Sequence, residues 1–386
     1  MTTRRDILLR GAALGAAVTV GGPAAFSALI DRLAHAEGSP FRGGTRTSVL
    51  PFERESRLAV GKLISSGLDG RRALDLSRID GSSLVTSTAD FYVRTRYPGR
   101  RRRSNRIVIA GHVSKNASVW PGQLRRSARS MGVHVMECAG NMSNRAFGLI
   151  SSARWKGVPL GELLKRAKPT AAASQLKVVG FDRHAARSRS STAGADWVFK
   201  LSDLTRAGAF LATHMNGRLL TRDHGAPVRL IVPGWYGCTA IKWVERLELL
   251  DNRAPTTAHM AEYSTRVHQY PSPKLAKDFI PAVIDLAAMP IRVETWRVSG
   301  VTRYRVVGLM WGGHQRTDKL EIQFGSRYHT AVDSYGHKTN ATWTLWSHEW
   351  LKPHKGLRRI RLRVNDTKIR TRRLDSGHYA RYVRVR

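Results

Sequence analysis

One of only two cysteines in the chain, Cys138, sits in the stretch HVMECAGNMSN, where a β-type run meets a small, polar turn. A thiolate in such a turn is a nucleophile or a soft metal ligand. The alanine and glycine beside it let a bulky group approach the backbone. Two other readings stand next to this one: a buried cysteine acting as a small apolar spacer, and a disulfide with Cys238, whose context is unlike that of Cys138. Farther on, HGAPVR supplies His224 and Arg229, and IKW supplies Lys242. Histidines and arginines scattered at strand ends in this way are usually satisfied structurally. By spacing alone HGAPVR reads as a turn feeding a strand. The chain has no C-x-x-C, no C-x-x-C-H haem attachment, no H-E-x-x-H, no P-loop and no G-x-S-x-G. Most common catalytic chemistries are thereby excluded.

The elements that must position these residues divide the chain in two. STADFYVRTRYP reads as an aromatic, β-branched strand carrying Arg94 and Arg96, RIVIAGHV as another, and GVHVMECAGN as the strand that ends at Cys138. GVPLGELLKRA has helical period, LKVVGFD and VRLIVPGWYG are short strands, and AIKWVERLELL fits either state. Residues 37 to about 80 show mixed polar and short helical pattern. Residues 40–285 are thus expected to form one mixed α and β domain. Beyond 290 the texture changes: TRYRVVGLMW, DKLEIQFG, ATWTLWSHEW and LRRIRLRVND recur at short intervals, which predicts an all-β sandwich over 290–386. In the last of these, Ile360, Leu362 and Val364 alternate with Arg359, Arg361 and Arg363, one face dry and one wet.

At 386 residues the chain is long enough for two or three domains with substantial cores, and 42% hydrophobic content places it among folded globular proteins. Its charge is unusual. Lys and Arg number 65 against 28 Asp and Glu, a formal +37 that attracts polyanions, anionic lipid, an acidic partner or an anionic substrate. The arginine-rich PGRRRRSNR loop lacks interleaved aromatic residues and reads as a solvated turn rather than a nucleic-acid reader. Residues 1–36 begin with the paired Arg4 and Arg5, continue through an Ala/Gly-rich apolar stretch and end in Ala34-His35-Ala36. This predicts a secretory signal of twin-arginine type and a periplasmic or extracytoplasmic location. Gly21, Gly22 and Pro23 interrupt it before it reaches the ~20 apolar residues of a membrane span. No later segment is long and apolar enough to cross a membrane.

Taken together and in order, ECAGN at 137–141, SSARWKGVPLGELL at 151–164 and MNGRLLTRDHGAPVRLIVPGWYGCTAIKWVERLEL at 215–249 resemble the sulfite oxidase family of molybdenum enzymes. The resemblance implies an α+β fold: a mixed domain holding one molybdopterin, followed by an immunoglobulin-like β domain that in the family often mediates dimerisation. It makes Cys138 the thiolate ligand of molybdenum, with the cofactor's dithiolene supplying further sulfur, and puts Asn141 in the cofactor-binding turn. Arg94 falls at the family's active-site arginine. Arg96 falls where a histidine usually touches the cofactor. His224, Arg229 and Lys242 fall where the pterin and its phosphate bind, and Asp182 of GFD at the pterin edge. Tyr263, with Tyr270 nearby as a rival, falls where the family places a tyrosine at the reacting centre.

One departure bears on substrate. Sulfite-oxidising members commonly follow the cysteine turn with two arginines, whereas this chain reads Met142 and Ser143. A cation missing from a desolvated anion pocket costs about 1.5–3 kcal/mol per lost charged hydrogen bond. The function implied is oxygen-atom transfer to or from a small oxyanion or a sulfur or nitrogen oxide. With no haem motif in the chain, electrons are expected to leave to a separate carrier such as a c-type cytochrome. A reductase of sulfoxides or N-oxides on the same fold, and a basic polyanion-binding protein with a decayed cofactor site, are the rival readings.

Overall fold

A computed structural model describes residues 41–99, 105–184, 188, 191–313, 315, 317, 319–325, 327–330 and 342–386. The expected leader, residues 1–36, and most of the arginine run lie outside these. Among the described residues no helix is long and apolar enough to cross a membrane.

The first half is built on two five-stranded sheets. In one, the order is Asp196–Lys200, Gln175–Gly180, Val244–Leu250, Ile107–Gly111, Ala117–Val119, with the central pair 244–250 and 107–111 parallel. The ambiguous AIKWVERLELL segment is therefore a strand. Its Val244, Leu247 and Leu249 are fully buried, and residues buried at the centre of a sheet show no clean alternation. In the other sheet Arg129–Glu137 pairs with Ile150–Pro159, then Phe210–Met215, whose neighbours are Arg218–Leu219 and Arg229–Ile231. Cys138 follows the last residue of the edge strand of this sheet. The expected helix over GVPLGELLKRA covers Leu160–Lys165 and buries Leu160, Leu163 and Leu164 as the pattern requires.

Two expectations are corrected. STADFYVRTRYP yields only the two-residue strand Val93–Arg94, because Thr95 turns the chain at φ 69°. Residues 37–80 hold no α-helix among the described residues, but short strands and 3-10 turns.

The second half is the all-β sandwich. One sheet runs Thr45–Leu50, Ala287–Val298, Val301–Trp311, Thr344–Trp350; the other runs Arg327–Thr330, Leu320–Phe324, Gly356–Val364, Arg381–Val385, Phe52–Glu53. Ile360 and Leu362 are buried while Arg359 and Arg363 are exposed, the alternation read from the sequence. The domain boundary at residue 40 does not hold. Residues 45–53 belong to the sandwich, one strand in each of its sheets, and Arg381 clasps this entry by donating to Glu55 Oε1 at 2.7 Å with its guanidinium 3.7 Å above the Phe52 ring. Local pattern could not reveal this, since the partners lie more than 200 positions away in the chain.

The two halves meet at Glu137, the residue before Cys138. Its carboxylate is fully buried and accepts from Trp311 Nε1 at 2.9 Å, Tyr379 Oη at 2.8 Å and Asn141 Nδ2 at 3.2 Å, with Arg373 Nη1 at 3.9 Å. Trp311, Tyr379 and Arg373 all come from the second half. A buried carboxylate is tolerated only when its lone pairs are satisfied in this way. Glu137→Ala would strand these donors in the interior and should cost about 3 kcal/mol in chemical denaturation, against about 1 kcal/mol for Tyr379→Phe.

Candidate active site

The cysteine turn is closed by backbone hydrogen bonds. Cys138 N donates to Leu149 O, and Asn141 N donates to Cys138 O, both at 2.9 Å, while Gly140 N points at Cys138 Sγ from 3.4 Å. Asn141 is spent inside this turn. Its amide nitrogen donates to Glu137, its amide oxygen accepts from Leu149 N at 3.0 Å, and it does not line the cavity, so the expectation that it touches a cofactor is not met. Cys138 is 4% exposed and lines a cavity that is open on one side. Cys138 and Cys238 are both free, so no disulfide joins them; both line the cavity, and burial pushes the Cys238 thiol up so that it stays protonated.

Arg94, Asp182, His224, Arg229, Lys242 and Tyr263 line the same cavity. His224 lies in the 3-10 turn Arg222–His224, where Thr221 Oγ1 is 2.8 Å from Nδ1 and Phe91 O is 3.3 Å from Nε2. Burial, then Arg229 and Lys242, push its pKa down to about 3. The ring is therefore neutral, with Nε2 donating to the carbonyl and Nδ1 accepting from the threonine. Arg229 donates to Ala240 O at 3.1 Å and His224 O at 3.2 Å, and burial lowers it to about 10. Its buried Nε has no partner among the described residues. Lys242 donates to Arg94 O at 3.0 Å, Asp223 O at 2.9 Å and Thr95 O, so all three of its protons go to backbone carbonyls that frame the cavity. Burial, then Arg229, hold its ammonium well below the usual lysine range.

Arg94 donates to Leu68 O at 3.0 Å, to Thr95 Oγ1 at 2.9 Å and to Ser191 Oγ. Asp182 accepts from the amides of Gly194 and Ala195 at 3.2 and 3.1 Å and lies 2.5 Å from His184 Nδ1. Arg96 falls outside the cavity lining. Its side chain is 41% exposed and its Nε donates to Asp223 at 3.3 Å, bracing the residue before His224. Tyr263 ends the helix Ala258–Tyr263 with a buried side chain. Burial pushes its phenol up, so the hydroxyl is a protonated donor at neutral pH. Tyr270 is 89% exposed and lies outside.

Several lining residues were missed from the sequence. Tyr92 and Trp243 flank residues already singled out. His259 and Glu262 share one helical turn with Tyr263, a spacing of three and four that a helix aligns on one face, and this was the available signal. Glu262 Oε2 accepts from Thr192 N at 3.0 Å, but its Oε1 is buried without a partner among the described residues. Gly237 keeps the wall open, since a β-carbon there would lie 2.5 Å from Tyr92 Oη.

These residues suit a molybdopterin. The lining combines a soft thiolate with a buried guanidinium whose Nε has no partner among the described residues, an imidazole and a lysine, the donor types that a sulfur-bound metal carried by an anionic phosphate ester needs. Among the described residues no group of three His, Cys, Asp or Glu side chains could hold a metal by itself. A metal at Cys138 would take its other ligands from the organic part of the cofactor.

His224 makes this wall pH-sensitive in a definite direction. Between its ordinary pKa of 6.5 and about 3 in the folded protein, the unfolded chain binds a proton that the folded chain does not. Stability must therefore fall as pH drops through that window. Thermal melts of His224→Gln should show a shallower loss between pH 6.5 and 4 than the parent chain.

Comparison with known proteins agrees with this geometry. The family model described as oxidoreductase molybdopterin binding domain matches residues 95–258. A nitrate reductase [NADPH] of Beauveria bassiana is 35% identical over 191 residues, 45% of this chain and 20% of the relative. Sulfite oxidase of Gallus gallus is 25% identical over 298 residues, 68% of this chain and 62% of the relative. The catalytic subunit MsrP of the protein-methionine-sulfoxide reductase of Gluconobacter oxydans is 35% identical over 158 residues, 39% of this chain and 48% of the relative. The chain thus spans from a fifth to under two thirds of the length of these relatives. In fold it is similar to the sulfane dehydrogenase SoxCD from Paracoccus pantotrophus, with a TM-score of 0.60 and 21% identity over 82% of this chain and 80% of that one. The molybdopterin-binding match runs through most of the cavity-forming segments; the chain carries an oxidoreductase molybdopterin binding domain over residues 95–258 and is similar to sulfite oxidases in sequence.

Proposed function

We propose that the protein is an exported oxidoreductase that moves an oxygen atom to or from a small oxyanion, sulfite being the reference substrate. The observation that carries this is the convergence of Cys138, Arg94 and Tyr263 on the cavity that His224, Arg229 and Lys242 line. When bound, the molybdenum cofactor supplies the two-electron oxygen-atom chemistry itself. The chain's residues do the rest. Cys138 would bind the metal as thiolate and Arg229 the anionic end of the pterin, with the neutral His224 beside it in the same wall and Asp182 at the pterin's edge. Lys242 shapes the same end by pinning the carbonyls of Arg94, Thr95 and Asp223. Arg94 orients an anionic substrate. Tyr263, protonated at neutral pH, donates a hydrogen bond to the oxygen being transferred.

Electrons then leave to an external carrier, for which a c-type cytochrome is the candidate. The +37 charge would steer an acidic carrier at low ionic strength. Residues 1–36 support export by the twin-arginine route to the periplasm, and the sandwich domain supports a homodimer by analogy with the family.

Met142 and Ser143 in place of two arginines, together with the similarity to MsrP, favour a second reading in which the enzyme reduces sulfoxides or N-oxides. Sulfite-driven reduction of ferricyanide against sulfoxide-driven oxidation of reduced viologen separates the two.

Molybdenum analysis of the matured protein should find about one atom per chain, and Cys138→Ser should lose most of the metal or change its spectra, with activity down by about 10³-fold or more. Metal-free wild-type protein would refute the enzyme reading and leave a basic polyanion-binding protein. Arg229→Ala should lower cofactor occupancy by about 10- to 100-fold at limiting cofactor. Tyr263→Phe should bind the cofactor normally yet lose roughly 10²-fold in kcat.

A further inference from the structure

We propose that Arg266 is the cation that clamps an anionic substrate beside Cys138, filling the role left open by Met142 and Ser143. The proposal rests on the reading of Cys138 as the metal-binding thiolate of an oxygen-transfer site, and it narrows the substrate to a small oxyanion.

The residues that follow the cysteine directly do not supply a cation there. Met142 is uncharged and 43% exposed, and Arg145 bends back to donate to Asn144 O at 2.6 Å. Arg266 arrives from elsewhere, in the 3-10 turn Thr265–Val267 just past the helix that ends at Tyr263. Its Nη1 lies 3.6 Å, and Cys138 Sγ 3.9 Å, from the single point that a β-carbon on Gly140 would occupy. Its guanidinium carbon is 5.3 Å from the centre of the Tyr263 ring. The guanidinium therefore lies near both the thiolate and the tyrosine, outside the residues that line the cavity itself.

Its backbone is held in place. Arg373 Nη2 donates to Arg266 O at 2.6 Å and to Ala139 O at 2.7 Å, so one guanidinium from the sandwich locks Arg266 and the cysteine turn to each other. The Arg266 side chain is exposed and forms no ion pair with a carboxylate among the described residues. Arg266 thus keeps a planar fork of donors for a ligand, which matches the two oxygens of a small oxyanion. Gly140 matters because a long side chain there would fill the space in which that fork lies.

The experiment compares wild type, Arg266→Gln and Arg266→Lys as full chains. In cofactor-free protein, alkylation of Cys138 is followed by mass analysis of its peptide, using anionic iodoacetate and uncharged iodoacetamide. The ratio of the two rates should fall about fivefold in Arg266→Gln and recover in Arg266→Lys; an unchanged ratio would overturn the proposal. In molybdenum-loaded enzyme with sulfite as probe, KM should rise about tenfold in Arg266→Gln with kcat within about threefold. A loss confined to kcat would also overturn it. If the matured wild type carries no molybdenum, the reading of the site fails, and the alkylation ratio still decides whether Arg266 attracts anions to Cys138.

Discussion

The buried carboxylate of Glu137 is the constraint on which the site depends. It follows the strand into the cysteine turn, and its lone pairs are taken by an indole and a phenol from the sandwich and by the Asn141 amide from the turn itself. A charge this deep holds its surroundings to one arrangement, since each donor that swings away leaves an unpaired group in the interior. The position of the Cys138 sulfur is therefore set from behind by another domain as well as by its own turn. The sandwich is part of the active-site scaffold, whatever it does in assembly.

The cavity follows the opposite logic. Where Glu137 is fully answered, among the described residues Arg229 keeps a buried nitrogen without a partner, Glu262 keeps a buried oxygen without one, and His224 is held neutral among cations. A protein without a ligand would gain little from such an arrangement. An anionic cofactor with polar edges would supply what these groups lack, so their burial and the affinity for the cofactor are two sides of the same electrostatics.

Much of this was legible in the sequence, but unevenly. The sandwich strands declared themselves because alternation such as Ile360 and Leu362 against Arg359 and Arg363 is a local signal. Cys138, His224, Arg229 and Lys242 were found through ordered motifs, and they converge on one cavity. Arg96 and Asn141 were placed with them by motif position, yet their side chains turn to Asp223 and Glu137, since a motif fixes a backbone position and not a side chain's direction. Arg266 and Glu137 had no signal at all. Their importance comes from Gly140, Tyr263, Trp311 and Tyr379, neighbours that only the folded chain brings near.

The strands at 45–53 carry one more consequence, for the order in which the molecule can form. Thr47 bonds to Thr295 across 248 positions, and Arg384 bonds to Glu53 across 331. Closing loops of that length precedes any gain from the contacts they allow, so the sandwich is a late-forming, high-contact-order unit. Its sheets cannot be completed from residues 290–386 alone, and the first strands must wait unpaired until nearly the whole chain exists. Because Trp311, Tyr379 and Arg373 come from this unit, the cysteine turn reaches its final form only when these sandwich residues have docked on Glu137.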